Sequence, residues 1–384
     1  MIETKISYFW DESGFGRNHR TGVSLHGHTN RSKESLHFFP QLAAKCPMLE
    51  AALEKQCRKS TTPVDFDRAY WTPPLSPKLA YEAERNQIQN MLGLGSLVSL
   101  TDHDDIEAPT LLRTVEETSQ IPVSLEWSVP FGRMIFHLGI HNLPSGHARE
   151  IVTDLEAFTR NPCDKRLCEL LAMLDRIPDV LIVFNHPLWN QTCPGAERDD
   201  QAINRFLRLT IKFLHAFEFN ASRSAKENKG VVQLADRWKR PVVSGGDRHG
   251  CDPNGALNLT RAESFAEFVY EIRQEQRSHM LLMPQYAEPV VIRTTRTLLD
   301  VIRNYPEFPI GSRRWDNRIF HPDPASGTDR PISAFWKAPP AYIERIFSYI
   351  RVIESAAVQR ALRRVFHGPV VSEIPAEISP EAVS

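Results

Sequence analysis

Val180-Leu181-Ile182-Val183-Phe184-Asn185-His186-Pro187 is a continuous apolar run, rich in β-branched side chains, that stops abruptly on a polar trio. Apolar side chains at every position, over a length suited to one strand, predict a β-strand covered on both faces. The same grammar recurs outward from it. Gly22–Leu25 runs into His26-Gly27-His28-Thr29, and Leu97–Leu100 into Thr101-Asp102-His103-Asp104. Ile121–Leu125 runs into Glu126-Trp127, and Met134–Ile140 carries His137 inside it. Ala216–Phe219 is followed by Asn220, and Pro241–Ser244 by Gly245-Gly246-Asp247-Arg248-His249. Helical patterns lie between these runs, near 108–119, 147–158, 200–213, 225–238 and 262–276. Strands alternating with helices predict a parallel α/β architecture. Seven such strands predict a barrel or distorted barrel, with a doubly wound open sheet as the alternative.

Two stretches stand outside that alternation. Residues 36–80, with Pro40, Pro47, Pro63, Pro73, Pro74 and Pro77, separate the first two strands by more than a β/α loop requires. This reads as an insertion beside the strand ends, placed to act as a lid. The extension from 289 to 384 is Pro-rich in its middle and then predicts a long helix from Ala341 to Phe366. Ile343, Ile346, Phe347, Ile350, Ile353, Val358, Leu362 and Val365 give that helix an apolar stripe. Its arginines read as a solvated face.

Composition excludes several classes. In 384 residues, 41% are hydrophobic and 24% charged, an ordinary globular balance with material for a large core. Net charge is −1, so no overall field draws nucleic acid or an acidic membrane. No apolar run has membrane-spanning length, and the N-terminus lacks the apolar core of a secretory signal. Cysteines at 46, 57, 163, 168, 193 and 251 form no C-x-x-C pair. They read as reduced thiols of a cytoplasmic protein. Zinc binding by Cys163 and Cys168 is the weaker alternative.

The strand-end residues carry the chemistry. In an extended segment, residues two apart point the same way, so His26 and His28 could share one ion. Each remaining position has an ordinary reading as well: Glu126 as an exposed loop carboxylate, His137 as a satisfied core histidine. Barrel strand ends converge on one face, however, and that convergence would gather these residues into a single polynuclear site. Imidazole with carboxylate suits Zn, Mn or Fe. His141 and His147 read as surface histidines. Arg133, Arg223, Lys226 and Arg248 lie near the ligand blocks; each has a solvent-facing reading, and each could neutralise an anionic group, Arg248, flanked by Asp247 and His249, being the foremost of them.

The ordered blocks HGHT, TDHD, LEW…HLGI, NHP and GGDRH resemble the motifs of the polymerase and histidinol phosphatase (PHP) superfamily, over roughly residues 21–288. The resemblance implies a distorted (β/α)7, TIM-like barrel over 1–288, interrupted by the 36–80 insertion and followed by the 289–384 extension. It implies two or three divalent ions, Mn2+ or Zn2+, with Fe2+ also fitting. His26, His28, Glu126 and Asp247 would hold the first ion. Glu126 would bridge to a second, held also by His137 and His186. His103 and His249 would hold a third. Relatives often carry Asp a few residues after H-x-H; here Glu34 stands as its substitute. Gly246 replaces a Ser usual in the last block.

The expected activity is hydrolysis of a phosphomonoester, a nucleotide or other small phosphorylated metabolite, by a metal-activated hydroxide. Asp102, His249 and Arg248 are the expected catalytic side chains, with Asp102 a ligand, an orienter or a proton acceptor. Exonuclease or 5′-end processing of short nucleic acids is the second reading, and a non-catalytic metal-binding scaffold the third.

Overall fold

The computed structural model describes residues 2–11, 14–37, 39–44, 65–189, 200–323, 325–335 and 341–365, with isolated positions in 47–55, 339 and 377–378. All seven apolar runs form strands. They are β2 (Thr21–Ser24), β5 (Gly95–Val98), β6 (Val123–Phe131), β7 (Met134–Leu143), β8 (Leu181–Asn185), β9 (Ala216–Asn220) and β10 (Val242–Gly245). Additional strands are β1 (Glu3–Tyr8), β3 (Glu34–Ser35), β4 (Tyr70–Trp71), β11 (Ala256–Thr260), β12 (Arg277–Leu282), β13 (Ile319–Pro322), β14 (Asp329–Pro331) and β15 (Glu377–Ile378).

Three sheets result, in the orders β15-β1-β12-β11-β2-β5, β10-β9-β8-β7-β6 and β14-β13-β4-β3. The first two meet at the ends of their strands. Beyond β5, Glu126 N–H donates to the Asp102 carbonyl (3.1 Å) and Asp104 N–H to the Glu126 carbonyl (2.9 Å). Beyond β2 and β10, Gly246 N–H donates to the Leu25 carbonyl (3.1 Å) and His28 N–H to the Arg248 carbonyl (2.9 Å). These contacts join the two sheets at the rim that carries the polar blocks, while among the described residues neither sheet closes into a barrel.

One strand breaks the expected parallel pattern. β7 runs antiparallel to both β6 and β8. Only Gly132-Arg133 separates β6 from β7, and so short a link can only reverse the chain; Gly132 supplies the positive φ (64°) of that turn. The reversal explains an oddity of the sequence, a candidate ligand inside a strand rather than after it. On the reversed strand, His137 pairs with Asn185, the last residue of β8. It thus reaches the same rim as the strand-end residues.

Helices cover the sheets much as the sequence predicts. Ala148–Arg160, Asp200–Thr210, Ala225–Trp238 and Phe265–Arg273 match predicted segments. Ser224 and Ser264 cap the last two, each accepting from the N–H of a Glu three residues on. Pro77–Gln87 and Asp164–Asp175 are further helices not anticipated. The long C-terminal helix is two, Ala341–Val352 and Ala356–Val365. Ser355 divides them: its hydroxyl accepts from Val358 N–H (3.4 Å), starting a second helix. Only Ile346 of the apolar stripe is buried, while Val365 is exposed. The strands β13 and β14 in the extension were also not anticipated. Most of the insertion between 45 and 64 lies outside the described residues, so the lid expectation falls largely there. Among the described residues no helix is long and apolar enough to cross a membrane.

Candidate metal centre

All nine residues expected as ligands come together at the rim, in three overlapping groups. These are His26, Glu126, His186 and Asp247; His103, Glu126 and His137; and His28, Glu34, His103 and His249. Within each group the ligand atoms lie within 4.8 Å of one another. The expected first set is close as well: His26 Nε2 and His28 Nε2 lie 3.2 Å apart, at 3.0 and 3.3 Å from Glu126 Oε2 and at 3.6 and 3.5 Å from Asp247 Oδ1. His186 also lies near His26 and Asp247, and His28 near Glu34, so the groups overlap.

Glu126 occupies the centre and faces two ways. Its Oε2 lies 3.0 Å from His26 Nε2 and 3.5 Å from His103 Nδ1. Its Oε1 lies 3.1 Å from both His137 Nδ1 and His186 Nε2. Asn185 donates to the same Oε1 (3.0 Å). Glu126 Oε2, His103 Nδ1 and His137 Nδ1 are buried and make no hydrogen bond. Polar atoms left so are costly unless a cation satisfies them. That cost, and the mix of imidazole and carboxylate donors, fit divalent transition ions.

Three of these side chains sit on unusual backbone. His26 (φ 61°), His186 (φ 26°) and Asp247 (φ 49°) are in the left-handed region. Each such non-glycine residue costs of order 1–3 kcal/mol, tolerated where the surroundings over-determine it. All three follow strand ends, where the chain turns sharply out of the sheet and points the side chain back over the rim.

Burial and charge set the protonation of the group. Burial alone would lower His103, but Glu34 and Glu126 outweigh it and push the imidazole up to about 10. His26 is likewise raised against burial by Glu126 and Glu218. Burial dominates at His137, which falls to about 4. Glu126 and Asp247 are buried, which opposes their charge; the imidazoles around Glu126, and Arg223 beside Asp247, hold both well below the usual carboxylate range.

Glu218 is the functional-type residue to which the sequence assigns no role. Its Oε1 accepts from His26 Nδ1 (2.5 Å), and its Oε2 from His186 N–H (2.7 Å) and Asn220 Nδ2 (2.9 Å). A carboxylate behind an imidazole fixes its tautomer and ring orientation. The available signal was a Glu inside the apolar run that forms the strand Ala216–Asn220, facing the same way as Asn220.

Of the expected catalytic side chains, Arg248 is placed differently from the expectation, and Asp102 has the contacts of the orienting alternative. Arg248 does not face the centre. It is buried against Glu84 (2.9 Å), and its other nitrogens donate to the Gly250 and His28 carbonyls. Its chemistry is that of a buried ion pair holding the last block against the first. Asp102 accepts from both Thr29 N–H (2.6 Å) and Thr29 Oγ1 (2.7 Å), so it orients the turn carrying His26 and His28. Burial raises it to about 6. The cation at the centre is Arg223, which donates to Asp247 Oδ2 (2.7 Å) and stacks 4.0 Å over Trp189. His141 is buried rather than superficial, sharing a hydrogen bond with Ser99 (2.8 Å), whereas His147 is exposed. Cys163 and Cys168 are free thiols outside every ligand group.

Gly246 has a local reason. A Cβ there would fall 1.7 Å from Asn254 Oδ1. Asn254 cannot move aside easily, because its Nδ2 donates to Ser24 Oγ (2.7 Å) and the Leu25 carbonyl (2.9 Å).

No family model matches the chain, and no curated protein matches it. Solved structures give partial likenesses of fold. PsfC from Pseudomonas syringae is 18% identical, with a TM-score of 0.40, over 70% of this chain and 93% of its own. A protein assigned as a metal-dependent phosphoesterase from Bifidobacterium adolescentis is 13% identical, with a TM-score of 0.36, over 65% and 96%. A two-domain protein from Bacteroides vulgatus containing a predicted PHP-like metal-dependent phosphoesterase is 12% identical, with a TM-score of 0.38, over 56% and 62%.

Proposed function

We propose that this chain is a PHP-type metal-dependent phosphoesterase acting on a small phosphomonoester, built on a distorted seven-stranded (β/α)7 ring. In this reading 1–288 form the phosphoesterase unit and 289–384 an extension of it. The observation that carries the proposal is the two-faced Glu126, whose oxygens each serve a different set of imidazoles. That is the geometry of a carboxylate shared between two ions.

His26, His28, Glu126 and Asp247 would hold one ion, and Glu126, His137 and His186 a second. Such a pair would supply the Lewis acidity that polarises a phosphoryl oxygen and acidifies water near neutral pH. The chain's own side chains do the rest. Glu218 keeps His26 aimed at the centre through Nδ1. Asp102 locks the turn at Thr29. Arg223, held by Asp247 and Trp189, presents the guanidinium that would receive phosphoryl oxygens as charge develops. His249, the most exposed of the six imidazoles at 16%, lies at the open edge of the centre. Beside it, Ser222, Gly246, Arg293, Arg296 and Asp300 line a cleft to which the extension contributes. The leaving group would lie there.

The test is phosphate release by protein loaded with Mn2+, Zn2+ or Fe2+, over nucleotides, sugar phosphates, histidinol phosphate and short oligonucleotides. Turnover on a small monoester, abolished by chelation, is the expected result. Activity confined to oligonucleotide ends would move the reading to end processing. Metal-loaded protein silent on every substrate would move it to a scaffold.

A further inference from the structure

We infer that the extension beyond residue 288 is a structural requirement of a third metal subsite, formed by Glu34, His103 and His249, and not of the two-ion centre. The inference rests on the metal-centre reading above. Glu34 is the only carboxylate of this group, 3.4 Å from His103 Nε2 and 3.2 Å from His249 Nε2. It stands on β3, a strand of two residues. So short a strand does not hold its own position.

A relay of contacts holds it. Glu34 pairs with Trp71 and Ser35 with Tyr70, in β4, which is equally short. β4 in turn pairs with β13 of the extension, Ile319 with Trp71 and Phe320 with Tyr70. The Tyr70 and Phe320 rings stack at 5.1 Å and 11°. Asp65 N–H donates to His321 Nε2 (2.8 Å), and Thr72 N–H to the Arg318 carbonyl (2.8 Å). Arg318 is 2% exposed and donates to the Val301 carbonyl (2.8 Å), tying β13 to the helix Val290–Ile302. The outermost strand adds Asp329, which accepts from Tyr70 Oη (3.2 Å) and pairs with Lys33, next to Glu34. Trp71 also lies 5.7 Å from the His249 ring, so the same small sheet covers the subsite.

None of the residues of the other two groups belongs to this sheet. Loosening β13 should therefore release the third ion alone. Full-length protein is stripped with chelator and reloaded with Mn2+ or Zn2+. Ion content is then read by elemental analysis, and stepwise affinity by competition with a chromophoric chelator. Wild type should take up three ions and Glu34→Gln two. Phe320→Ala should weaken the third ion by about 10–100-fold, the range for outer partners of a metal site, and leave the first two unchanged. Phe320→Tyr, which keeps the ring, should restore it. A merely structural flap would change the melting transition without this selective loss. If Phe320→Ala does not fold, Asp329→Asn at the exposed edge takes its place, with the same selective weakening expected to a smaller degree. Three ions bound with unaltered affinity in the folded variant would overturn the inference. So would wild type saturating at two ions, which leaves the two-ion centre intact. Wild type binding no ion would instead overturn the proposed function on which the inference rests.

Discussion

The ligand group around His26, Glu126, His186 and Asp247 and the group around His28, Glu34, His103 and His249 share one rim but are held differently. The first is buried throughout, and three of its four members sit on left-handed backbone. In the second, His103 and His249 are partly exposed, and all four keep ordinary negative φ. The first hangs from strands of the large sheets. The second takes its only carboxylate from a two-residue strand fastened to the extension. Strain and burial are thus concentrated where the core can over-determine geometry. The outer group is unstrained and depends on an accessory support.

Removing Glu126 should break this contrast most severely, because it belongs to both of the inner groups. Glu126→Ala should lose both inner ions and lower turnover by well over the ~100-fold upper range seen for outer partners. Glu34→Ala should lose one ion and leave most turnover. Ion content and kcat of the two folded variants decide it; equal, small effects would mean that the bridge is misplaced. Next in size is Glu218→Gln, which keeps the shape but weakens the orienting bond to His26. Metal affinity of the inner group should fall by roughly 10–100-fold with the outer group unaffected. An unchanged chelator titration would rule out the orienting role.

A third prediction concerns pH. Burial, and then the charge of His26, lower His141 from its ordinary value to about 3. The folded pKa therefore lies below the unfolded one, near 6.5. Stability from keeping His141 neutral is fully present above pH 6.5 and is lost as pH falls toward 3, at up to about 1.4 kcal/mol per unit. His141→Gln should flatten the acid limb of the urea-unfolding curve by that slope. Parallel limbs for the two proteins would refute it. The smallest effect tests the backbone contrast itself. At His186, Gly should be more stable than Ala by about 1 kcal/mol, because only Ala keeps a Cβ at positive φ. At His103, with ordinary φ, the order should reverse, as Gly then only adds chain entropy to the unfolded state. The same denaturation measurement on the four variants would show whether strain distinguishes the two groups.

The sequence by itself determined the seven inner strands, because continuous apolar runs have few other ways to be buried, and it determined which residue types stand at their ends. Seven of the nine candidate ligands follow apolar runs and carry a local signal, whereas His137 stands inside a run and Glu34 was named through the family resemblance. Three things belonged to the tertiary structure. The reversal of β7 brought His137 to the rim through a strand register that no local pattern records. Glu218 and Arg248 exchanged prominence: a Glu inside a strand became the partner of His26, while an Arg between two ligands turned away to Glu84. The pairing of Glu34 with Trp71, and of Trp71 with Ile319, joined segments nearly 300 residues apart. Side-chain periodicity states which face a residue takes within its own strand. It does not state which distant strand will lie beside it, because backbone pairing uses N–H and C=O groups common to every residue but proline. That choice is made only when the whole chain packs.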